Sequence, residues 1–291
     1  MTEIGNQNKG NKVKRKNYLG SLLFFVAVLV VVVWNLWPFV WQFITSIKPS
    51  SEIFAMPPTI IPSKVTFSSY VKLFEIRDFG QYMINSLIVA FASTGLCLFC
   101  GSLCAYALAR FKLFGGSLLE RIFLVLSFLP GIIFLIPLFP WFRELHLINK
   151  PLALTLPYTA FNLPFAIFTL KAAFAQIPKE IEEAAWIDGF SMWGVFSKIL
   201  LPLTAPSLVA CGTLVFIFAW NEFLYALAFL MKDASRTIPV GIAMLSGSSM
   251  YEVPWDQISA AVVLATLPVV ALVLIFQRRI LQDLTQGAVK G

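Results

Sequence analysis

The sequence predicts an all-α membrane protein, a polytopic bundle of six transmembrane helices with one charged loop between two of them. Of its 291 residues, 58% are hydrophobic and only 13% are charged, whereas soluble domains average about 25% charged residues. Six stretches of about twenty residues or more contain no Asp, Glu, Lys or Arg, and that length is enough to cross about 30 Å of hydrocarbon. Because lipid offers the backbone no hydrogen bonds, these stretches are predicted to be helices.

The domain organisation follows from these stretches. We expect a transmembrane domain over residues 18–281, a polar and disordered tail over 1–17 and a second tail over 282–291. The predicted spans cover about residues 18–47, 79–109, 122–142, 151–174, 203–231 and 257–277, with a loop over about 175–202. Several prolines within the spans are expected to kink them. They are Pro130, Pro137, Pro140, Pro157, Pro164 and Pro268.

The distribution of basic residues predicts the orientation. Five of the first sixteen residues are Lys or Arg, and such a cluster immediately before an apolar segment is typical of a cytoplasmic anchor. The following uncharged stretch, 17–47, lacks the small-x-small exit of a cleaved signal peptide, so it is interpreted as a retained span. Six spans place both termini on one side, where the segments hold fourteen Lys and Arg against eight on the other. Both termini are therefore predicted to be cytoplasmic.

The loop over 175–202 is unusually polar for a segment between spans. Residues 179–188 are predicted to form a short helix, because Pro178 suits a helix start and three glutamates follow it, near the positive N-terminal end. Gly189 suits the left-handed C-terminal stop, and a second helical run, 192–201, closes at Pro202. From the residues alone two interpretations stay open. The helix is an interfacial amphipathic helix without a partner, or its small residues Ala184 and Ala185 let another protein approach closely.

The spacing of this loop resembles a known signature. Glu183-Ala-Ala-x-x-x-Gly189, nine residues, and then Ile199-x-Leu201-Pro202 is similar to the cytoplasmic-loop motif of ABC importer permeases. In that family the loop docks into a cleft on the ATPase subunit. The resemblance implies a coupling helix here and an ATPase pair as partner. The residues it assigns to coupling are Glu183, Ala184, Ala185, Asp188, Gly189, Ile199, Leu201 and Pro202.

No pattern in the chain predicts catalysis, a cofactor or a metal. Gly5 and Gly10 have the first spacing of a phosphate-binding loop, but Asn11-Lys12 follows instead of Lys-Ser/Thr. The four cysteines lie in apolar segments and the single histidine lies elsewhere, so the cysteines are interpreted as packing residues rather than zinc ligands. The net charge of +7 comes without a basic stripe interleaved with aromatics, so nucleic acid is not a predicted partner. Any pumping must therefore draw its energy from another protein.

One acid, Glu222, lies well inside an apolar stretch, where ionisable groups are costly and usually face a polar cavity. Together with Trp220, Asn221 and Tyr225 it is predicted to line a pathway for a hydroxyl-rich solute, with Trp220 stacking on a sugar face. Placement near the outer membrane surface is a second interpretation. A third is an intramembrane ion site, as in a secondary transporter or channel.

The outer loop over 232–256 contains an apolar patch with Pro239, Gly241 and Gly247. Apolar surface in a loop often marks a contact, and the resemblance to ABC importer permeases implies that its partner is an extracytoplasmic solute-binding protein. The other interpretation, given equal weight, is that the patch folds back onto the bundle.

Three further runs resemble carbohydrate-uptake permeases of the maltose-transporter second-subunit type. They are Trp220-Asn-Glu-Phe223, Thr237-Ile-Pro-Val-Gly241 and the ending Gln282 to Gly291, which in that relative reaches the ATPase interface. The resemblance implies a multi-pass permease of the cell membrane that handles a sugar or oligosaccharide. Its implied partners are a second permease subunit, a solute-binding protein and the ATPase pair. The alternatives are a secondary transporter or channel that uses Glu222, and a scaffold without transport activity.

Overall fold

The computed structural model describes residues 4–57, 59–75, 78–245 and 253–288, with side-chain surroundings described for 20–279. Within these ranges the regular structure is helical and contains no strand, so the all-α prediction is confirmed for the described part of the chain. The α-helices are α1 (Ile4–Ser46), α2 (Ser68–Glu75), α3 (Phe79–Arg110), α4 (Gly116–Phe128), α5 (Ile132–Glu144), α6 (Leu152–Gln176), α7 (Lys179–Ile187), α8 (Met192–Val195), α9 (Leu201–Leu203), α10 (Ala205–Asn221), α11 (Leu224–Phe229), α12 (Ile238–Ala243) and α13 (Trp255–Ala288). A π-helical segment, Phe196–Leu200, joins α8 to α9.

Six membrane spans are compatible with these helices. Four segments of the described chain are long and apolar enough on their own: Gly20–Ser46, Phe79–Arg110, Leu152–Gln176 and Trp255–Arg279. Two further spans are possible if a bent helix pair counts as one, and these pairs are α4 with α5, bent by 96°, and α8–α9 with α10, bent by 76°. The structure therefore provides four uninterrupted candidate spans, and six if each bent pair counts as one span.

The break between α4 and α5 follows from the proline predicted to kink this span. Leu129 ends α4 in an extended conformation, with φ −75° and ψ 131°. The residue before a proline is sterically driven out of the helical region, and Pro130 has no N–H to continue the helical hydrogen bonds. The kink expected at Pro130 is confirmed, and it is a complete interruption rather than a bend within one helix.

The predicted fifth span, 203–231, is wrong as a single helix. α10 ends at Asn221, and Glu222 is extended, with φ −68° and ψ 130°. The Glu222 carboxylate accepts hydrogen bonds from the backbone N–H groups of Tyr225 (3.0 Å) and Ala226 (3.3 Å). A side chain that satisfies these otherwise unpaired amides starts a new helix, α11, instead of extending the old one.

The described residues of both predicted tails are helical. α1 begins at Ile4, so the prediction of disorder through residue 17 is wrong, and α13 runs to Ala288. Extending an existing helix requires no new nucleus, and the Lys, Arg and Gln residues of the first tail have favourable helix propensities. The last three residues, 289–291, lie outside the described part of the chain.

The chain divides into two compact units. The first unit comprises the residues up to Val71 together with Pro254–Val263. Within it, the buried carboxylate of Asp256 accepts hydrogen bonds from the hydroxyls of Ser50 (2.8 Å) and Ser69 (3.1 Å). The apolar span of α1, Gly20–Ser46, is exposed, because none of the residues in its most apolar part is buried.

The second unit comprises Lys72–Val253 and Leu264 onwards, and it is built on α3, α6 and α10. Small residues let these helices approach closely, as is common in membrane bundles. A Cβ added at Gly101 would lie 3.1 Å from the Cβ of Ala166 on α6, and one at Gly212 would lie 2.9 Å from Leu98 on α3. The charged loop over 175–202 packs against this core.

Candidate functional site

The first helix of the charged loop forms as the sequence predicts. α7 runs from Lys179 to Ile187, with Asp188 as its C-terminal cap and Gly189 in the left-handed region, at φ +85°. The N–H of Gly189 donates to the carbonyl of Trp186 (3.1 Å), and the N–H of Phe190 donates to the carbonyl of Ala185 (3.0 Å). These two bonds form a Schellman motif, in which glycine costs least at the left-handed position. Gly189 therefore fixes where α7 ends.

The second helical run differs from the prediction in its winding. The Ser191 side chain caps α8 by accepting the N–H of Gly194 (3.2 Å), as serine commonly does. The run 192–201 is not a uniform α-helix, however, because Phe196–Leu200 is π-helical. Such segments wind more widely than an α-helix and frequently occur at functional sites.

A buried ion pair fastens α7 to the rest of the second unit. Glu182 is only 3% exposed, and its carboxylate pairs with the Arg110 guanidinium at the end of α3. The Tyr106 hydroxyl donates to the other carboxylate oxygen of Glu182 (3.2 Å). Arg110 also donates to the carbonyl of Ile177 (2.8 Å), in the short link between α6 and α7. The end of α3, the end of α6 and the start of α7 are thus held at one point.

An apolar contact area lies beside this ion pair. Ala185, Val195, Phe196 and Leu200 from the charged loop are buried in one cluster with side chains of α3 and α6. Within this cluster the Tyr106 ring centroid lies 5.3 Å from that of Phe196 and 5.8 Å from that of Phe174 on α6. The loop therefore packs against the helical core through apolar side chains as well as through charge.

The predicted coupling residues divide between two faces. Glu183, Ala184, Asp188, Gly189 and Pro202 are exposed, Ala185 is buried, and Ile199 and Leu201 are half-buried. Two large apolar residues beside them are exposed as well, since Ile187 on α7 is 87% exposed and Trp193 on α8 is 59% exposed. We call the outward side of α7, with Glu183, Ala184, Ile187 and Asp188, the exposed face of α7.

Sequence reasoning missed the residues that hold this face in place. Glu182 was grouped with the other glutamates as a favourable charge near the helix start, and Arg110 and Tyr106 were not singled out. A signal was present, because residues three or four apart share one side of a helix, so Glu182 lies on the same side as the small residue Ala185. Nothing in the sequence, however, identifies Arg110 as the partner of that acid.

The region around Glu222 is occupied by protein contacts. Besides the two backbone amides at the start of α11, the Tyr158 hydroxyl donates to Glu222, and the Tyr225 hydroxyl donates to the carbonyl of Gly131 (2.6 Å). Trp220 is 3% exposed, and its indole N–H donates to the carbonyl of Ala265 (3.2 Å). Neither Trp220 nor Tyr225 has an open ring face for a sugar in this conformation. Of the four predicted pathway residues, only Asn221 is exposed.

The described part of the apolar patch in the loop over 232–256 folds back onto the bundle, as one of its two interpretations proposed. Ile238 and Gly241 of α12 are buried, and the Ile238 N–H donates to the Ser86 hydroxyl on α3 (2.8 Å). A Cβ at Gly241 would lie 2.3 Å from the Tyr82 ring, so glycine is required by close approach. Pro239 is half-buried, and Gly247 lies outside the described residues.

Comparison with known proteins identifies relatives of this chain. A family model described as "Binding-protein-dependent transport system inner membrane component" matches residues 97–286. The chain is 42% identical to the trehalose transport system permease protein SugB of Mycobacterium tuberculosis, over 90% of this chain and 95% of that protein. It is 37% identical to the trehalose/maltose transport system permease protein MalG of Thermococcus litoralis, over 95% of this chain and 99% of that protein.

A solved structure shares the fold. A chain of a bacterial ABC transporter involved in the import of the acidic polysaccharide alginate matches with a TM-score of 0.77, and the match covers 91% of this chain and 97% of that chain. The two sequences are only 20% identical, so this likeness concerns the fold alone.

Proposed function

Since this chain belongs to the family of binding-protein-dependent transport system inner membrane components, we propose that it is a permease subunit of an ATP-driven importer for a sugar or oligosaccharide. With a second permease subunit it forms the membrane pathway, and an extracytoplasmic solute-binding protein delivers the cargo. The names of similar chains support this class of cargo, since they specify trehalose in one case and trehalose or maltose in another. ATP hydrolysis belongs to a separate ATPase pair.

The observation that carries this proposal is the two-sided construction of α7. Its exposed face presents Glu183, Ala184 and Asp188, while its inward face is fixed by Glu182 and Ala185. An ATPase subunit that docks on the exposed face would move α7, and the buried contacts would transmit that movement to α3 and α6. The bundle would then change between inward-facing and outward-facing states as whole helices shift together.

The proposed orientation places α7 and both termini in the cytoplasm. The excess of Lys and Arg on that side supports it, as does the need for α7 to meet an ATPase. The exposed apolar span of α1 suits contact with the bilayer and with the second permease subunit. The solute-binding protein would contact the outer loop over 232–256 through surface near Pro239, while the buried Gly241 shapes that loop. Along the sugar pathway, Asn221 is the residue we assign first, because it is exposed.

The test is ATP-driven uptake of labelled trehalose and maltose by proteoliposomes that contain the complete transporter and its solute-binding protein. In Ala184→Leu, a larger side chain on the exposed face of α7 should obstruct the ATPase without disturbing the core. We expect uptake to fall at least tenfold while the yield and thermal unfolding midpoint of the complex stay unchanged, since surface substitutions usually alter stability by no more than about 0.5 kcal/mol.

The matched control is Ala92→Leu, the same enlargement at an exposed position on α3. Uptake should be retained in this control. Normal ATP-driven uptake by Ala184→Leu would contradict the coupling role of α7. Absence of ATP-driven uptake of any sugar by the wild-type transporter would contradict the proposed function itself.

A secondary transporter using Glu222 as an ion site is the less favoured function. The Glu222 carboxylate is already engaged by the Tyr158 hydroxyl and by two backbone amides, which gives it a helix-capping role. Sugar uptake driven by an ion gradient, in vesicles without the ATPase, would decide for this alternative.

A further inference from the structure

A separate polar cavity lies within the first unit. Its volume is about 360 Å³, within the range of about 300–1,000 Å³ typical of ligand pockets. The end of α1, the segment that follows it and the start of α13 line it. Its lining includes Trp41, Lys48, Glu52, Thr59, Trp255 and Ser259. None of these residues belongs to the coupling site or to the region around Glu222.

The cavity is lined by one basic and one acidic side chain, Lys48 and Glu52. Lys48 is only 4% exposed, and its ammonium donates to the carbonyl of Thr59 and lies 5.0 Å from the ring centroid of Trp41. Glu52 accepts hydrogen bonds from the hydroxyl and the backbone N–H of Ser63, and these bonds hold the pKa of Glu52 below its ordinary value. The lowered pKa keeps the Glu52 carboxylate ionised at neutral pH. Because the two charges offset each other, the cavity suits a neutral ligand better than a phosphate.

One hydroxyl in the lining has no protein partner. The Thr59 hydroxyl oxygen is buried and makes no hydrogen bond, whereas the large majority of buried polar side-chain atoms are satisfied. A hydroxyl both donates and accepts, and the ammonium and carboxylate of the same cavity supply strong donors and acceptors. A ligand with several hydroxyl groups could bond to all three.

The aromatic side chains of the lining add a second requirement that a ligand has to meet. The indoles of Trp41 and Trp255 both line the cavity, and Trp255 is 47% exposed. An indole offers a large apolar face at little cost in conformational freedom. Polar groups that converge beside aromatic faces suit a molecule that carries hydroxyls at its edge and C–H groups on its faces, which describes a sugar ring.

We propose that this cavity binds a neutral, hydroxyl-rich ligand about the size of one sugar ring. Trp41 and Trp255 contact the faces of the ring, and Lys48, Glu52 and Thr59 hydrogen-bond its hydroxyls. The site is distinct from the pathway residues around Asn221. Identifying its ligand with the imported sugar rests on the proposed function, whereas binding itself does not.

The experiment measures sugar binding to the transporter in phosphatidylcholine nanodiscs, with the solute-binding protein and ATP left out. Saturation-transfer NMR is recorded with glucose, trehalose and maltose as probes. The informative variant is Thr59→Val, which keeps the side-chain shape and breaks no side-chain hydrogen bond, because the hydroxyl has none. We expect at least a tenfold weaker apparent affinity in Thr59→Val and loss of the signal in Trp255→Ala.

The matched control is Thr94→Val, the same change at another buried hydroxyl without a hydrogen bond, on α3. Its affinity for the probes should equal that of the wild type. Equal affinity in the wild type and Thr59→Val, or no saturable binding of any of the three sugars, would overturn the proposal. Displacement of the sugar signal by glycerophosphocholine at lower concentration than by the sugars would assign the cavity to a lipid headgroup and overturn it too. Since ATP-driven uptake is measured separately, failure here leaves the proposed function standing, and the reverse also holds.

Discussion

Two glutamates in the second unit are held in opposite ways. Glu182 lies in a charged loop of the sequence, yet it is buried and paired with the Arg110 guanidinium. Glu222 lies in an apolar stretch, yet it is half-buried, and its hydrogen-bond partners among the described residues are neutral groups, namely the Tyr158 hydroxyl and two backbone amides. For both residues, the polarity of the neighbouring sequence therefore predicts the wrong environment. Whether each carboxylate is buried depends instead on the groups that pack against that end of its helix.

Removing the two acids should therefore destabilise the protein by different amounts. Loss of Glu182 would leave a buried cation without its partner, whereas loss of Glu222 would leave amides at the start of a short helix. Removing one partner of a buried ion pair typically costs about 3–5 kcal/mol. Removing a capping side chain costs about 0.5–2 kcal/mol. The following variants test this ranking.

The largest effect is expected from Glu182→Met. The thermal unfolding midpoint of the detergent-solubilised complex should fall by several degrees, because Arg110 loses its counter-ion in a buried position, at a cost of about 3–5 kcal/mol. The double variant Glu182→Met with Arg110→Met is the control, and it should be less destabilised than the single variant because no charge is left unpaired. A double variant that is as unstable as the sum of both single variants would show that the pair does not interact.

A smaller effect is expected from Glu222→Gln. The amide oxygen still accepts one of the backbone N–H groups, so the cost should be about 1 kcal/mol, within the range for hydrogen bonds. ATP-driven sugar uptake should remain within about fivefold of the wild type, since 1.4 kcal/mol corresponds to a factor of ten. Abolished uptake with an unchanged unfolding midpoint would instead assign Glu222 to ion or sugar binding, and the comparison with Glu182 would fail.

The smallest effect is expected from Tyr106→Phe, and Tyr158→Phe is its matched counterpart. Each variant removes one hydroxyl that bonds to a glutamate. Tyr106 donates over 3.2 Å to a carboxylate that Arg110 already neutralises, so its loss should cost about 0.5–1 kcal/mol. Tyr158 donates to a carboxylate without a cation partner among the residues described around it, so its loss should cost more than that of Tyr106, about 1 kcal/mol at the upper end of that range. Unfolding midpoints that rank the two variants in the opposite order would contradict this account.

Much of the fold could be predicted because hydrophobic length is a strong signal. A run of about twenty apolar residues has few alternatives to a membrane-spanning helix, and Gly189 ends α7 where expected because few other residues adopt its backbone conformation. The break after Leu129 was foreseeable from Pro130 for the same local reason. The end of α10 at Asn221 was not foreseeable in this way, because it depends on the Glu222 carboxylate, which caps the next helix.

The candidate site was predictable only in part. The exposed motif residues, such as Glu183 and Gly189, are fixed by spacing along the chain, which one sequence displays. Glu182 bonds to Arg110 across 72 positions, and Thr59 contributes to a cavity together with Trp255 from the far end of the chain. Such contacts depend on how helices pack, and no periodicity within a single segment encodes them.

The π-helical segment Phe196–Leu200 has a consequence for insertions and deletions in this loop. A π-helical turn is an α-helix that holds one additional residue, so removing one residue there would restore an α-helix without rotating the flanking segments. In α7, by contrast, a deletion would turn every later side chain by about 100°, given 3.6 residues per turn, and would carry Ala185 away from the core relative to Glu182. The loop thus has one place where its length is adjustable and one where it is not. The nine-residue interval between Gly189 and Ile199 is for this reason partly a matter of helix winding, and a relative with eight residues there could present the same two faces.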